Sequence, residues 1–188
     1  AVRGLKPGRG IIHTLLAIAL IGGVTAAGLA ATAALRHLYA DPTPEQYLTF
    51  IKGKGEIVPA GAFEIDGAQF SCGHRPTVIA ERLDDYAAAY YGFLIVNEER
   101  FSKLPMTLKR YVYAHECAHQ FVGRGELAAD CYAVQQGRRD GWLDEQGVDT
   151  ICGFIGQAKA SPTHPAGPQR CEHIRACFAD TPGLRASL

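Results

Sequence analysis

The sequence predicts an α+β domain preceded by an N-terminal transmembrane helix. Three observations carry that expectation. The chain has 188 residues, enough for one hydrophobic core and an appendage but not for two full cores. A long uncharged apolar run stands near its start. After it, short strand-like runs punctuated by Gly and Pro give way, beyond Pro105, to segments of helical period.

The charge distribution separates the front from the body. The formal net charge is zero, but residues 1–40 hold four basic residues (Arg3, Lys6, Arg9 and Arg36) and no acid. That leaves fifteen of the nineteen basic residues against all nineteen acidic ones in residues 41–188. A mildly acidic body lacks the clustered basic footprint of a nucleic-acid binder, so no nucleic-acid partner is expected. Residues 11–35, IIHTLLAIALIGGVTAAGLAATAAL, contain no Asp, Glu, Lys or Arg. About 20 apolar residues suffice for a helix to cross a bilayer. A cleaved signal peptide ending at Ala31-Thr32-Ala33 competes with that reading, but its apolar core is typically only about 7–15 residues long. A buried soluble helix is disfavoured by the lack of a polar face. The positive charge before the run places residues 1–10 in the cytoplasm, an anchor over 11–38, a linker over 39–52 and the body, 53–188, outside. The expected location is the inner membrane, single-pass, with a periplasmic domain and lipid contact through residues 11–35. Six cysteines suit an oxidising compartment.

Within the body, Asp41-Pro-Thr-Pro44 reads as a stiff linker. Strand-like runs follow at Ala62–Ile65, Gln69–Ser71, Thr77–Glu81 and Gly92–Val96, with Asp66-Gly67 as a hairpin signal between the first two. Ala87–Tyr91 fits strand or helix. Helices are predicted over Met106–Val122, stopping at Gly123, then Glu126–Arg138, Leu143–Ala158 and Pro168–Phe178. Tyr90, Tyr91, Phe93, Tyr111 and Tyr113 are expected to fill the core between sheet and helices.

The first of those helices contains His115-Glu116-Cys117-Ala118-His119. Four residues are about one helical turn, so both imidazoles leave one face and can share one tetrahedral ion. Glu116 lies beside them, placed to take a proton from metal-bound water. A third ligand is expected from Glu126, seven residues past His119 across a stretch with Gly123 and Gly125, whose tolerance of positive φ lets the chain reverse. Asp130, one turn beyond Glu126, is placed to accept the second N–H of a ligand histidine and fix its tautomer. The competing arrangement has Asp130 as ligand and Glu126 outside. The bland alternative is two solvated histidines, with Glu126 merely favourable at a helix start.

His115–His119 followed by Arg124-Gly125-Glu126-Leu127-Ala128-Ala129-Asp130, and then by Thr163-His164-Pro165 and Arg170, resembles the gluzincin zinc metallopeptidases grouped with CAAX prenyl proteases and heat-shock membrane proteases. The resemblance spans Phe101 to Ile174, in the family's order, with a shorter insertion between the first two motifs and one span instead of several. It implies a zincin-like fold, Zn²⁺ held by His115, His119 and Glu126, and Glu116 as general base. It also implies His164 and Arg170 near the active site, as oxyanion stabilisers or braces. Gly92–Val96 resembles the zincin edge strand along which an extended peptide pairs.

Cys117 sits inside the metal motif and Cys131 directly after Asp130. A Cys117–Cys131 disulfide is expected because the two helices must approach; buried free thiols are the alternative. Cys171 and Cys177, six apart, face different sides of a helix. Together these readings predict a membrane-anchored zinc metallopeptidase acting on a peptide or protein substrate. The alternatives are a non-catalytic accessory subunit of a larger membrane complex, a structural zinc protein, or a disulfide-stabilised domain without metal.

Overall fold

A computed structural model describes residues 42–182. The chain is α+β, with two small sheets and six helices among the described residues. The expected fold class is corrected in one respect. No described helix is long and apolar enough to cross a membrane, and the predicted anchor over 11–38 lies outside the described residues, so the transmembrane helix is not part of the fold observed. Single-pass membrane anchoring loses its support with it. Three disulfides are what the structure offers on location, and they fit an oxidising, extracytoplasmic environment.

The expected linker folds instead as helix α1, Pro44–Phe50. Thr43 and Gln46 form a reciprocal capping box, Gln46 N donating to Thr43 Oγ1 (3.2 Å) and Thr43 N donating to Gln46 Oε1 (2.9 Å), with Pro44 in the first turn where its missing N–H costs nothing. Tyr47 on this helix packs against Tyr90 and Phe93.

Six strands follow: β1 Gly55–Val58, β2 Phe63–Ile65, β3 Ala68–Phe70, β4 Thr77–Ala80, β5 Ala87–Tyr90 and β6 Phe93–Val96. β2 and β3 form the expected hairpin, turning at Asp66 (φ 50°) and Gly67 (φ 81°), the two left-handed positions that a primed turn demands. The others make one sheet of order β1-β4-β6-β5, in which only β4 and β6 are parallel. The edge-strand expectation for Gly92–Val96 is therefore corrected, since β6 is interior and the edges are β1 and β5. Phe-Leu-Ile-Val is apolar at every position and buried at every position, so it needs cover on both faces. Phe93 and Ile95 pack under α1 with Val78 and Ala80, while Leu94 and Val96 face the helical side.

The helices are α2 Glu98–Phe101, α3 Met106–Val122, α4 Glu126–Arg139, α5 Glu145–Ile155 and α6 Gly167–Ala179. The expected second helix ends one residue late, and the third is shorter at both ends, because Asp144 caps it by accepting from Gly147 N at 2.8 Å. Tyr111, Tyr113 and Phe93 are buried as expected, but Tyr91 is 82% exposed at the β5–β6 turn.

The disulfides are Cys72–Cys117, Cys131–Cys177 and Cys152–Cys171, which replaces the expected Cys117–Cys131 pair. Cys117 is two residues from both His115 and His119, roughly 200° around the helix, and so points away from α4 toward the loop after β3. Closing loops of this size stabilises a chain by about 3–4 kcal/mol per bridge.

Candidate metal centre

The apolar stripe of α3 runs through Leu108, Tyr111, Val112, His115 and Ala118, at the spacing of one helix face. His115 thus belongs to the buried stripe, and His119 one turn on lies where the stripe meets solvent. The helix stops at Gly123, whose φ of 76° only glycine adopts without strain. Gly125, by contrast, is extended and does not supply the reversal expected of it. The short connection returns Glu126, first residue of α4, to the two imidazoles.

His115 Nε2 and His119 Nε2 lie 3.2 Å apart, with the rings perpendicular. Glu126 Oε2 is 3.3 Å from His115 Nε2, and Glu126 Oε1 is 3.5 Å from His119 Nε2. A tetrahedral zinc ion with bonds of about 2.0–2.1 Å sets its ligand atoms about 3.3 Å apart, so the trio has the right size. His119 Nδ1 donates to the Gly123 carbonyl at 2.7 Å, and His115 Nδ1 lies 2.9 Å from Asp130 Oδ1, a contact bent off the ideal hydrogen-bond line. With the His119 Nδ1 proton on a carbonyl and His115 Nδ1 turned toward a carboxylate, two neutral imidazoles with their protons on Nδ1 would meet lone pair to lone pair. A proton or a metal cation between them resolves that repulsion. Glu126 Oε2 is buried without a hydrogen-bond partner, a second sign that the residues fit a cation.

Beneath the trio, Asp130 is fully buried. It accepts from Tyr111 Oη (2.6 Å) and from Arg170 Nε and Nη2 (2.8 and 2.7 Å). Burial alone would raise its pKa; the Arg170 hydrogen bonds and the His115 ring outweigh burial and hold it well below the usual carboxylate range. Asp130 Oδ1 thus faces His115 Nδ1, while its hydrogen bonds go to Tyr111 and Arg170. Burial also works against a charged His115, but the Asp130 and Glu126 carboxylates override it and push the imidazole up to about 9. Glu126 is held low despite burial, chiefly by His115.

Arg170 is spent on Asp130, and its Nη2 stays 3.8 Å from Glu126 Oε2. Of the two roles expected for it, bracing matches its contacts. Its helix can approach because position 167 is glycine: a Cβ there would sit 1.9 Å from the Ile155 carbonyl oxygen. His164 is half exposed, with Nε2 3.5 Å from Glu126 Oε2 on the solvent side of the trio. Its ring is steadied by Thr163 Oγ1 at 2.8 Å from Nδ1, in a loop tied by Ser161 Oγ to the His164 amide.

Glu116 is half-buried and, among the described residues, its carboxylate has neither a hydrogen-bond nor an ion-pair partner. Burial pushes its pKa up, partly countered by His115 and His119. It stands beside the trio with no side-chain partner of its own. No fourth His, Cys, Asp or Glu atom joins the trio among the described residues, in contrast to the closed four-ligand sets of structural zinc sites.

A second trio escaped the sequence reading: Cys131, Cys177 and His173, with His173 Nε2 3.5 Å from Cys177 Sγ. The i, i+4 spacing of His173 and Cys177 was readable; Cys131, more than forty residues away, was not. Also unforeseen were Tyr111, which completes the Asp130 cluster, and Gln120, which ties the β5–β6 turn to α3. A cleft of about 420 Å³ beside Val58, Phe63, Ile79, Val96 and Phe101 is lined by none of the site residues, so cavity volume does not locate the chemistry. In comparisons with known protein families, curated proteins and solved structures, none matches this chain, and the resemblance to gluzincins rests on the motif residues alone.

Proposed function

We propose that the chain is a zinc-dependent metallopeptidase. The observation that carries this reading is the trio itself: two Nε2 atoms and one buried carboxylate oxygen without a hydrogen-bond partner, converging at tetrahedral spacing, with an uncommitted glutamate next to them. His115, His119 and Glu126 would hold the ion, which supplies Lewis acidity: it polarises a carbonyl and lowers the pKa of water.

The chain's own residues do the rest. Glu116, its pKa raised by burial, accepts a proton from the attacking water and returns it to the departing amine. Asp130, pinned by Arg170 and Tyr111, keeps the His115 proton on Nδ1 and the Nε2 lone pair free. His164 Nε2, on the open side of Glu126, is placed to donate to a carbonyl oxygen as it gains charge. The free edge of β5 offers main-chain hydrogen bonds to an extended peptide.

The test is metal analysis of purified protein beside His119→Ala, together with hydrolysis of fluorescein-labelled casein. Bound zinc and hydrolysis in the parent, and neither in His119→Ala, supports the reading. Zinc-free parent protein overturns it. Zinc without hydrolysis leaves the non-catalytic alternative, a zincin-like binding module.

A further inference from the structure

Gln120 follows His119 directly, yet it faces the sheet. Its Oε1 accepts from Gly92 N at 2.9 Å and from Arg75 Nε at 3.0 Å. Its Nε2 donates to the Tyr90 carbonyl at 2.6 Å and, more weakly, to the Phe93 carbonyl at 3.4 Å. An amide side chain can make four hydrogen bonds, and all four are spent here. Three of them go to the main chain of the β5–β6 turn, so one side chain clasps the hairpin to α3 a single residue beyond a metal ligand. Gly92, at φ 95°, permits the turn that aims its N–H at Gln120.

The partners of the clasp are held in their own right. Arg75 bonds as an isolated bridge to Cys72, which is joined covalently to Cys117 on α3, and its guanidinium lies 4.7 Å from the centre of the Phe121 ring. The loop after β3, the β5–β6 turn and the last turn of α3 therefore meet at one amide. β5 contributes little apolar weight of its own: Ala87 is its one fully buried residue, and the next three are half-buried. A light edge strand is held in register by polar contacts as much as by packing.

We infer that Gln120 is a positioning residue: it sets the height of the β5 edge relative to His115 and His119, and so fixes where a bound peptide's backbone passes the metal trio. This rests on the metallopeptidase reading. The Gln120 side chain has no hydrogen bond to His115, His119 or Glu126, and it acts through the strand it holds. The consequence is a division of labour on α3, with one face for the cation and the neighbouring face for the registration of substrate.

Gln120→Glu tests it with almost no change in volume. Two N–H donors become acceptors set against the Tyr90 and Phe93 carbonyls, so the clasp opens. In the zinc-free protein, hydrogen exchange across 87–93 should quicken about tenfold while 126–139 stays unchanged. Zinc affinity, read by competition with a chromogenic chelator, should stay within about twofold. With labelled casein, KM should rise about tenfold at nearly constant kcat, the signature of lost uniform binding. Unchanged exchange across 87–93, or an unchanged KM, overturns the inference. So does a fall in zinc affinity parallel to the rise in KM, which would make Gln120 simply part of the helix end. A parent protein that neither binds zinc nor cleaves casein marks failure of the metallopeptidase reading instead, while the exchange measurement still reads the clasp.

Discussion

The two trios of metal-ligating side chains differ in what they have left to give. His115, His119 and Glu126 present two nitrogen lone pairs and a carboxylate with an orphaned oxygen, each aimed by a further contact: Asp130 behind one ring, the Gly123 carbonyl behind the other. Cys131, Cys177 and His173 are equally close, but their two sulfurs are bonded to each other and offer no thiolate. Proximity of ligand types is common to both. Readiness for a cation belongs to the first, because contacts behind its rings and the absence of a covalent partner leave its donor atoms free and facing one another.

Five measurements break or sharpen that contrast. Glu116→Gln should keep zinc but lower hydrolysis of labelled casein by about 10²–10⁴-fold, the usual reach of a general base; undiminished turnover would remove Glu116 from the mechanism. His119→Ala should drop the zinc content from about one ion per chain to near none, since two remaining ligands do not hold the metal through dialysis; elemental analysis reads this. Arg170→Met leaves the Asp130 carboxylate buried without its cation. It should cost about 3–5 kcal/mol in urea unfolding and weaken zinc about 10–100-fold, the loss typical when an outer contact goes. Cys131→Ser with Cys177→Ser should cost about 3–4 kcal/mol and leave zinc stoichiometry untouched; a fall in stoichiometry would mean that the second trio contributes to metal binding.

The smallest effect is in pH. The pKa of His115 in the folded, metal-free protein is raised to about 9 from an ordinary 6.5, so its contribution to stability is fully present below 6.5 and is lost as pH rises through about 9. Urea midpoints of zinc-free protein should therefore fall between pH 6.5 and 9.5. Zinc-loaded protein should show the reverse trend near neutrality, because the metal requires the unprotonated ring. Parallel pH curves with and without zinc would place the ion elsewhere.

The helix boundaries around the site, the Asp66-Gly67 hairpin and the shared face of His115 and His119 all follow from local spacing, and the fold bears them out. The Thr43–Gln46 capping box was equally local and signalled helix α1 where a linker was expected. Four apolar residues in a row at 93–96 likewise pointed to an interior strand. Beyond these, the residues argue through partners far along the chain. Cys72 and Cys117 are 45 apart, Cys131 and Cys177 are 46 apart, and Arg170 reaches Asp130 across 40 residues.

Helical period and turn chemistry are properties of a few consecutive residues, so the sequence by itself determined that one helix would carry two imidazoles one turn apart with a glutamate beside them. Which carboxylate closes the array, which cysteines join, which strand is left at the edge and that Gln120 clasps it were decided by the packing of α3 against α4, α6 and the sheet. Those contacts are won in competition among every apolar face and polar group in the chain, and no short window of residues contains that competition.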